Sequence, residues 1–194
     1  CRELEITGKV VGDIGLRLES VYIGGGTPGI LSPEQLEKVC SAAENSFDLS
    51  SVREYTVELG RPDTVTREKL EVLRAHSVDR ISINTQTLND SVLEAVGRKH
   101  TAADFFAAYA LAKESGFENI NVDLIAGLPG DTLESFKKSV DGVAALAPAN
   151  ITVHALALKS ASTLKEHGHA VSEGETAEKM IDYSHRVLFD SGYI

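Results

Sequence analysis

Cysteine is scarce in this chain: Cys1 and Cys40 are the only two among 194 residues. Two cysteines cannot build the disulfide framework of a small secreted domain, and their spacing matches no zinc site. A reducing compartment is the default for such a sequence, so we expect a cytoplasmic location.

Long apolar runs and clusters of basic residues are also lacking. No stretch approaches the roughly 18 apolar residues of a membrane span, and residues 1–18 carry charges instead of the apolar segment of a signal peptide. Lysine and arginine number 19 against 29 aspartates and glutamates, which gives a formal net charge of −10. Because nucleic acids are bound through a basic face, we expect neither nucleic-acid nor membrane partners.

Common catalytic signatures are absent as well. The sequence contains no nucleophile elbow, no Cys/His catalytic pattern, no phosphate P-loop and no GxGxxG. His167 and His169 have no third metal ligand nearby in sequence, which predicts an exposed loop. His154 lies on a predicted strand and is predicted to be a core histidine, with a ligand as the alternative. We therefore assign no catalytic residue and no metal ligand in this chain.

What the sequence does contain is a regular alternation of strand and helix patterns. The predicted strands are 20–23, 53–59, 79–84, 119–125 and 150–157. The predicted helices are 2–13, 33–45, 66–75, 90–95, 101–115, 133–146 and 175–191. Strands alternating with helices of this length are typical of βαβ units, so we predict a single α/β domain with a parallel sheet. The leading helix implies a further strand before Cys1, and we expect the chain to be a fragment of a longer protein.

Three consecutive predicted strands carry polar residues at every second position. These residues are Glu54, Thr56 and Glu58, then Arg80, Ser82, Asn84 and Gln86, then Asn119, Asn121 and Asp123. Since side chains alternate across a strand, each strand has one apolar and one polar face. A helix-covered open sheet would leave the polar groups unpaired, whereas a barrel lumen holding a polar ligand satisfies them. An antiparallel sheet with one solvated face is the alternative.

The stretch VYIGGGTPGIL at residues 21–31 places three consecutive glycines directly after the first strand. In α/β folds of this kind, ligands bind beyond the carboxyl ends of the strands. Glycines there let the backbone approach a ligand and direct N–H groups at an anion. A tight turn without a ligand is the alternative.

Four further side chains near predicted strand ends or in a loop are candidates for ligand binding. Glu58 could accept hydrogen bonds from a ribose diol or bind an ammonium group; its alternative is an ion pair with Arg98. Gln86 and Asp123 lie on the polar faces. Arg98 could hold a carboxylate through two hydrogen bonds, or it could be a solvated surface residue.

Six segments in chain order resemble the radical S-adenosylmethionine (SAM) superfamily and, within it, the oxygen-independent coproporphyrinogen III oxidases. The segments are YIGGGTPGIL (22–31), YTVELGRPDT (55–64), RISINTQTL (80–88), GRKH (97–100), INVDLIAGLPGDT (120–132) and ITVHALALKSASTL (151–164). The last one resembles the coproporphyrinogen dehydrogenase branch in particular. The resemblance covers nearly the whole chain and implies a partial (βα)6 parallel barrel of the radical SAM type, with its first strand missing here. It also implies that the cluster-binding segment and the C-terminal domain are absent from residues 1–194.

Matching motif to motif, the resemblance implies a set of SAM-binding residues. They are Gly25, Gly26, Thr27, Glu58, Gln86, Arg98, Asp123 and Ala157. The glycine motif of the family meets the methionyl end of SAM, and Glu58 matches a residue that binds SAM. The family residues that correspond to Gln86, Arg98 and Asp123 bind SAM or a second SAM on the substrate side. Ala157 corresponds to a small residue that contacts this second SAM.

The resemblance further implies a [4Fe-4S] cluster held by three cysteines in a CxxxCxxC motif. The implied reaction is oxidative decarboxylation of coproporphyrinogen III to protoporphyrinogen IX in haem biosynthesis, with an electron donor such as flavodoxin or ferredoxin. The motif does not occur in this chain and would precede Cys1. We therefore expect the activity in the full-length protein and not in this chain alone. A haem chaperone of the same family, a radical SAM enzyme with another substrate and a non-catalytic small-molecule binding module are the alternatives.

Overall fold

The computed structural model describes residues 1–156 and 174–194. Its strands are β1 (Ser20–Ile23), β2 (Glu54–Gly60), β3 (Arg80–Ile83), β4 (Asn119–Ala126) and β5 (Asn150–Ala155). Its helices are α1 (Arg2–Asp13), α2 (Pro33–Ser46), α3 (Arg67–Ala75), α4 (Asp90–Ala95), α5 (Ala102–Glu114), α6 (Leu133–Ala144) and α7 (Gly174–Asp190). Single 3₁₀ turns at Pro28–Ile30 and Pro62–Thr64 follow β1 and β2. The predicted elements are all present, with ends that differ by a residue or two.

Helix starts follow directly from the local sequence. Ser32 precedes Pro33 and accepts a hydrogen bond from the Gln35 amide, while the Gln35 side chain accepts a bond from the Ser32 amide. Thr101 and Asp104 form the same reciprocal arrangement before α5. These caps satisfy backbone donors that have no partner inside the helix, so they fix where α2 and α5 begin.

The five strands form one sheet in the order β1-β2-β3-β4-β5, and every neighbouring pair is parallel. Consecutive strands are therefore neighbours in space, and each crossover carries at least one helix. The antiparallel alternative is rejected. Parallel pairing also brings all carboxyl ends of the strands to one edge, where the loops that follow them meet.

The apolar faces of the central strands pack against the helices. Val57, Ile81 and Ile120 are fully buried together with Leu70 of α3 and Phe136 of α6. Cys40 on α2 is fully buried in the same core. Within residues 1–156 and 174–194, no helix is long and apolar enough to cross a membrane.

Candidate functional site

The polar face of the sheet, meaning the face that carries the alternate polar side chains, runs continuously across its strands. The register pairs Glu58 with Ser82 and Ser82 with Asn121. The Asn121 amide group lies 3.0 Å from Ser82 Oγ and 2.7 Å from Asp123 Oδ1, and its oxygen accepts from Thr152 Oγ1 at 3.1 Å. The polar residues thus form a hydrogen-bonded row from β3 to β5.

Burial divides this face into two zones. Thr56, Ser82 and Asn121 are 1%, 3% and 7% exposed, because neighbouring side chains cover them and satisfy their polar groups. Glu58 and Asp123, nearer the carboxyl ends of β2 and β4, are only partly buried. The two carboxylates are therefore partly exposed acceptors near the carboxyl end of the polar face.

The glycine turn, residues 24–27, follows β1 at the carboxyl edge of the sheet. A Cβ atom on Gly24 would lie 2.4 Å from the Tyr22 ring and 3.0 Å from Glu58 Oε2, so a side chain there would have to displace the Tyr22 ring. Gly25 has φ of +114°, which L-residues rarely adopt. Gly26 has no positive φ, and a Cβ atom there would meet no other atom within 4 Å, so its backbone lies beside open space. A ligand that approached the turn at Gly26 would therefore meet backbone and no side chain of that residue.

Glu58 has a partner that the sequence does not reveal. Glu58 Oε2 accepts a hydrogen bond from the Tyr22 hydroxyl group at 3.4 Å. Burial raises the pKa of Tyr22, and the neighbouring Glu58 carboxylate raises it further. Across the described ranges, Glu58 forms no ion pair, so the alternative of a salt bridge with Arg98 is not observed. The sequence gives one indication of this contact: side chains alternate along β1, so Tyr22, two positions before Gly24, lies on the same face of the strand as Gly24.

Asp123 faces His154, which the sequence pattern predicts to lie in the core. His154 Nε2 lies 3.9 Å from Asp123 Oδ2, and the His154 side chain is 57% exposed. The prediction of a core histidine is wrong because β5 is the edge strand of the described sheet, and Asn150, Thr152 and His154 share its polar face. His154 is consequently available at the site.

Gln86 departs from the predicted alternation. β3 ends at Ile83, and Gln86 has φ of +72°. The backbone amide of Gln86 donates a hydrogen bond to the Asp123 carbonyl at 3.0 Å. Gln86 pairs with Leu124, whereas the register that pairs Ser82 with Asn121 would pair it with the next residue of β4. The prediction that the polar face continues through Gln86 is thus wrong, because the regular alternation of side chains ends after Ile83. Gln86 is 7% exposed and adjoins the Asp123 strand through its backbone.

Arg98 lies in the loop between α4 and α5 and is partly buried. Burial lowers the pKa of its guanidinium, and Arg61, in the loop after β2, lowers it further, while Asp63 acts in the opposite direction. Arg61 Nε lies 3.5 Å from Asp63 Oδ1. Asp63 thus pairs with Arg61 and lies close enough to Arg98 to affect its pKa, while the described residues show no ion pair of Arg98 itself.

Thr27, the last residue of the glycine turn, lies next to Gly60 at the end of β2. Its hydroxyl group donates to the Gly26 carbonyl, and its methyl group would lie 3.1 Å from a Cβ atom on Gly60. Of the remaining sequence predictions, Ala157, His167 and His169 lie outside the described residues. The structure therefore places the glycine turn, Glu58 and Asp123 at the carboxyl edge, with Gln86 joined to it by backbone.

A parallel sheet with a polar face and a glycine turn at its carboxyl edge defines an α/β protein with a candidate small-molecule site. Comparison with known proteins gives the family: the model of the radical SAM superfamily matches residues 5–143. The chain belongs to the radical SAM superfamily.

Individual relatives show which members of the superfamily this chain resembles. The chain is 37% identical over 195 residues to the oxygen-independent coproporphyrinogen-III oxidase-like protein HemZ of Bacillus subtilis (strain 168), covering 99% of this chain and 39% of that protein. It is 35% identical over 182 residues to the heme chaperone HemW of Lactococcus lactis subsp. lactis (strain IL1403), covering 91% and 48%. These comparisons confirm the resemblance to the coproporphyrinogen oxidase group.

The fold is confirmed by a solved structure, coproporphyrinogen III oxidase (HemN) from Escherichia coli, described as a radical SAM enzyme. It matches with a TM-score of 0.85 and 26% identity over 98% of this chain and 45% of that chain. The predicted partial barrel is thus correct. The chain spans less than half the length of each of these three proteins.

Membership of the family implies SAM and a [4Fe-4S] cluster, and the two groups fit this chain differently. The open backbone of the glycine turn and the accessible carboxylates of Glu58 and Asp123 suit the amino-acid moiety and hydroxyl groups of SAM. The cluster does not fit: Cys40 is fully buried in the core, Cys1 is exposed far along the chain from it, and the described residues hold no group of three metal-ligating side chains.

Proposed function

We propose that this chain is the SAM-binding part of a radical SAM enzyme that oxidatively decarboxylates coproporphyrinogen III. The supporting observation is the glycine turn, in which Gly24 adjoins the Glu58 carboxylate while Gly25 and Gly26 border open space. The similarity to HemZ and HemN, which are named for coproporphyrinogen III oxidation, supports the reaction. The porphyrinogen substrate, the electron donor and the cluster belong to the full-length protein in this proposal.

The residues have distinct roles in the proposed site. The glycine turn and Thr27 meet the methionyl end of SAM, where backbone groups can bond without side-chain obstruction. Glu58 binds SAM, while Asp123, Gln86 and Arg98 bind SAM or a second SAM on the substrate side, and Ala157 contacts it. The organic chemistry belongs to the cofactors, so the role of this chain is binding and orientation.

A haem chaperone is the second candidate, supported by the similarity to HemW and by one observation at the site. His154 is 57% exposed beside Asp123, so its imidazole is accessible as an axial haem ligand. In this alternative the polar face binds SAM without oxidation of a porphyrinogen.

The SAM site is tested by isothermal titration of SAM into the full-length protein, wild type and Glu58→Gln. We expect the substitution to weaken SAM binding at least tenfold, about 1.4 kcal/mol. Glu71→Gln, at an exposed position on α3, is the matched control and should leave affinity unchanged. Unchanged binding in Glu58→Gln would contradict the proposed site.

Anaerobic turnover separates the two functions. The cluster-loaded full-length protein is incubated with coproporphyrinogen III, SAM and a reductant, and CO₂ and protoporphyrinogen IX are measured. Product formation supports the oxidase and excludes a pure chaperone. Stoichiometric haem binding that His154→Ala abolishes, with no product from the porphyrinogen, would establish the chaperone instead.

A further inference from the structure

A lysine outside the polar face links the two turns that border the proposed SAM site. Lys69 lies on α3, and its Nζ donates hydrogen bonds to the Gly29 carbonyl at 2.6 Å and the Thr64 carbonyl at 3.0 Å. Gly29 belongs to the 3₁₀ turn directly after the glycine turn, and Thr64 to the 3₁₀ turn that follows β2. One ammonium group thus bridges segments 35 residues apart in sequence, from 29 to 64.

The two turns are packed without spare room where Lys69 joins them. A Cβ atom on Gly29 would lie 2.1 Å from the Leu59 carbonyl and 2.3 Å from Thr64 Oγ1. The Thr64 hydroxyl group in turn lies 3.1 Å from the Leu59 carbonyl and 2.7 Å from the Arg61 carbonyl. Gly29, Leu59 and Thr64 are all buried, so a shift of one turn must displace the other.

This contact reaches the glycine turn through short backbone links. The Ile30 amide donates to the Thr27 carbonyl, and the Leu31 amide donates to the Pro28 carbonyl, each at 3.0 Å. On the other strand, Leu59 directly follows Glu58. Lys69 therefore holds the segment that continues from the glycine turn against the segment that continues from Glu58.

The surroundings of Lys69 suit fixed carbonyl recognition more than ion pairing. In the part of the chain that the structure describes, Lys69 forms no salt bridge, and both of its partners are backbone oxygens. Burial lowers its pKa, and Asp63 partly opposes that effect. Hydrogen bonds donated by a charged group are stronger than neutral ones, so a partly buried ammonium can hold two loop carbonyls firmly.

We propose that Lys69 is a positioning residue that presets the distance between the glycine turn and Glu58 for SAM binding. This inference rests on the proposed function. When a site already has its binding geometry before the ligand arrives, the free-energy cost of ordering its loops on binding is smaller. Because Lys69 acts on the segment after the glycine turn, its effect falls on the amino-acid moiety of SAM more than on the adenosine.

The test compares two ligands in the full-length protein. SAM carries the amino-acid moiety, whereas 5′-methylthioadenosine lacks it. We expect Lys69→Met, which keeps the apolar stem, to weaken SAM binding about tenfold and 5′-methylthioadenosine binding by no more than about twofold. Lys38→Met, at an exposed lysine on α2, should change neither affinity.

Hydrogen exchange supplies a readout that does not depend on SAM. The amides of Ile30 and Leu31 should exchange faster in Lys69→Met than in the wild type or in Lys38→Met. If Lys69→Met does not fold, Thr64→Val replaces it, because that substitution removes the hydroxyl contacts to Leu59 and Arg61 at nearly constant volume. The same ligand difference is expected from it.

Equal loss of both ligands in Lys69→Met, or unchanged SAM affinity, would overturn the inference. If the wild type itself fails to bind SAM, the proposed function fails. In that case unchanged amide exchange at Ile30 and Leu31 would overturn the positioning role independently, and faster exchange would retain it for whatever ligand the turn binds.

Discussion

The Tyr22 hydroxyl group on β1 donates a hydrogen bond to Glu58 Oε2 on the adjacent strand β2, at 3.4 Å. The Tyr22 ring also lies against the first glycine of the turn, since a Cβ atom on Gly24 would come within 2.4 Å of its Cε1. One aromatic side chain therefore contacts both groups that we assign to SAM. It orients the carboxylate and limits how far the glycine turn can move toward the sheet.

Replacing Tyr22 with phenylalanine removes only the donor to Glu58. We expect Tyr22→Phe to lower SAM affinity about two- to fivefold, because a carboxylate freed of one partner must be ordered by the ligand. The free energy of unfolding should change by less than about 0.5 kcal/mol, since the hydroxyl group is exposed. Titration calorimetry and urea denaturation measure the two quantities.

A second tyrosine provides the control for this prediction. The Tyr183 hydroxyl group donates to Asp141 Oδ1 at 2.8 Å on the helical side of the protein. Tyr183→Phe should leave SAM affinity unchanged. Equal losses in both variants, or none in Tyr22→Phe, would show that the hydroxyl group does not orient Glu58 for binding.

Asn121 is the central link of the polar face, and its loss should destabilise the fold. Its side chain is within hydrogen-bonding distance of Ser82, Asp123 and Thr152, and the residue is 7% exposed. Asn121→Ala leaves buried polar groups with fewer partners, so we expect about 1–3 kcal/mol less stability toward urea.

The matched control is two residues earlier on the same strand. Asn119 shares the polar face, but its side chain has no hydrogen bond to another described residue, and Asn119→Ala should cost less than about 0.5 kcal/mol. Similar costs at both positions would mean that β4 tolerates alanine poorly for reasons unrelated to the polar network.

The fold is predictable from the sequence because its determinants are local. Alternating and helical periodicity identify the elements, and caps such as Ser32 and Thr101 give the helix starts. The polar faces of the strands indicate a barrel interior lined by polar side chains, because a face covered by helices would leave these groups unpaired. The coarse site follows, since parallel strands bring their carboxyl ends together.

Other features are not predictable because they depend on distant backbone atoms or on local irregularity. Lys69 binds backbone carbonyl groups, and the positions of these groups cannot be predicted from the pattern of side chains in the sequence. The break after Ile83, which displaces Gln86 from the polar face, has no glycine or proline to announce it. The exposure of His154 follows from the edge position of β5, which strand order alone decides.

On the opposite side of the core from the polar face, a buried histidine joins α2 to the end of α3. His76 is 9% exposed, with Nε2 2.9 Å from Glu37 and Nδ1 2.9 Å from Glu44. Burial lowers the pKa of His76, but the hydrogen bonds to Glu37 and Glu44 outweigh it and leave the pKa above its ordinary value. Ionised carboxylates only accept hydrogen bonds, so two of them favour the imidazolium, in which both ring nitrogens donate.

This raised pKa predicts that the stability of the protein depends on pH through His76. A histidine whose pKa is higher in the folded state stabilises fully below its unfolded pKa of about 6.5, and the contribution disappears as pH rises through the folded value. The stability difference between wild type and His76→Gln should therefore be larger at pH 6 than at pH 9, by on the order of 1 kcal/mol. His185→Gln, at an exposed histidine on α7, is the control. Urea denaturation at both pH values measures the difference, and a gap that stays constant or widens toward pH 9 would mean that His76 is neutral in the folded protein.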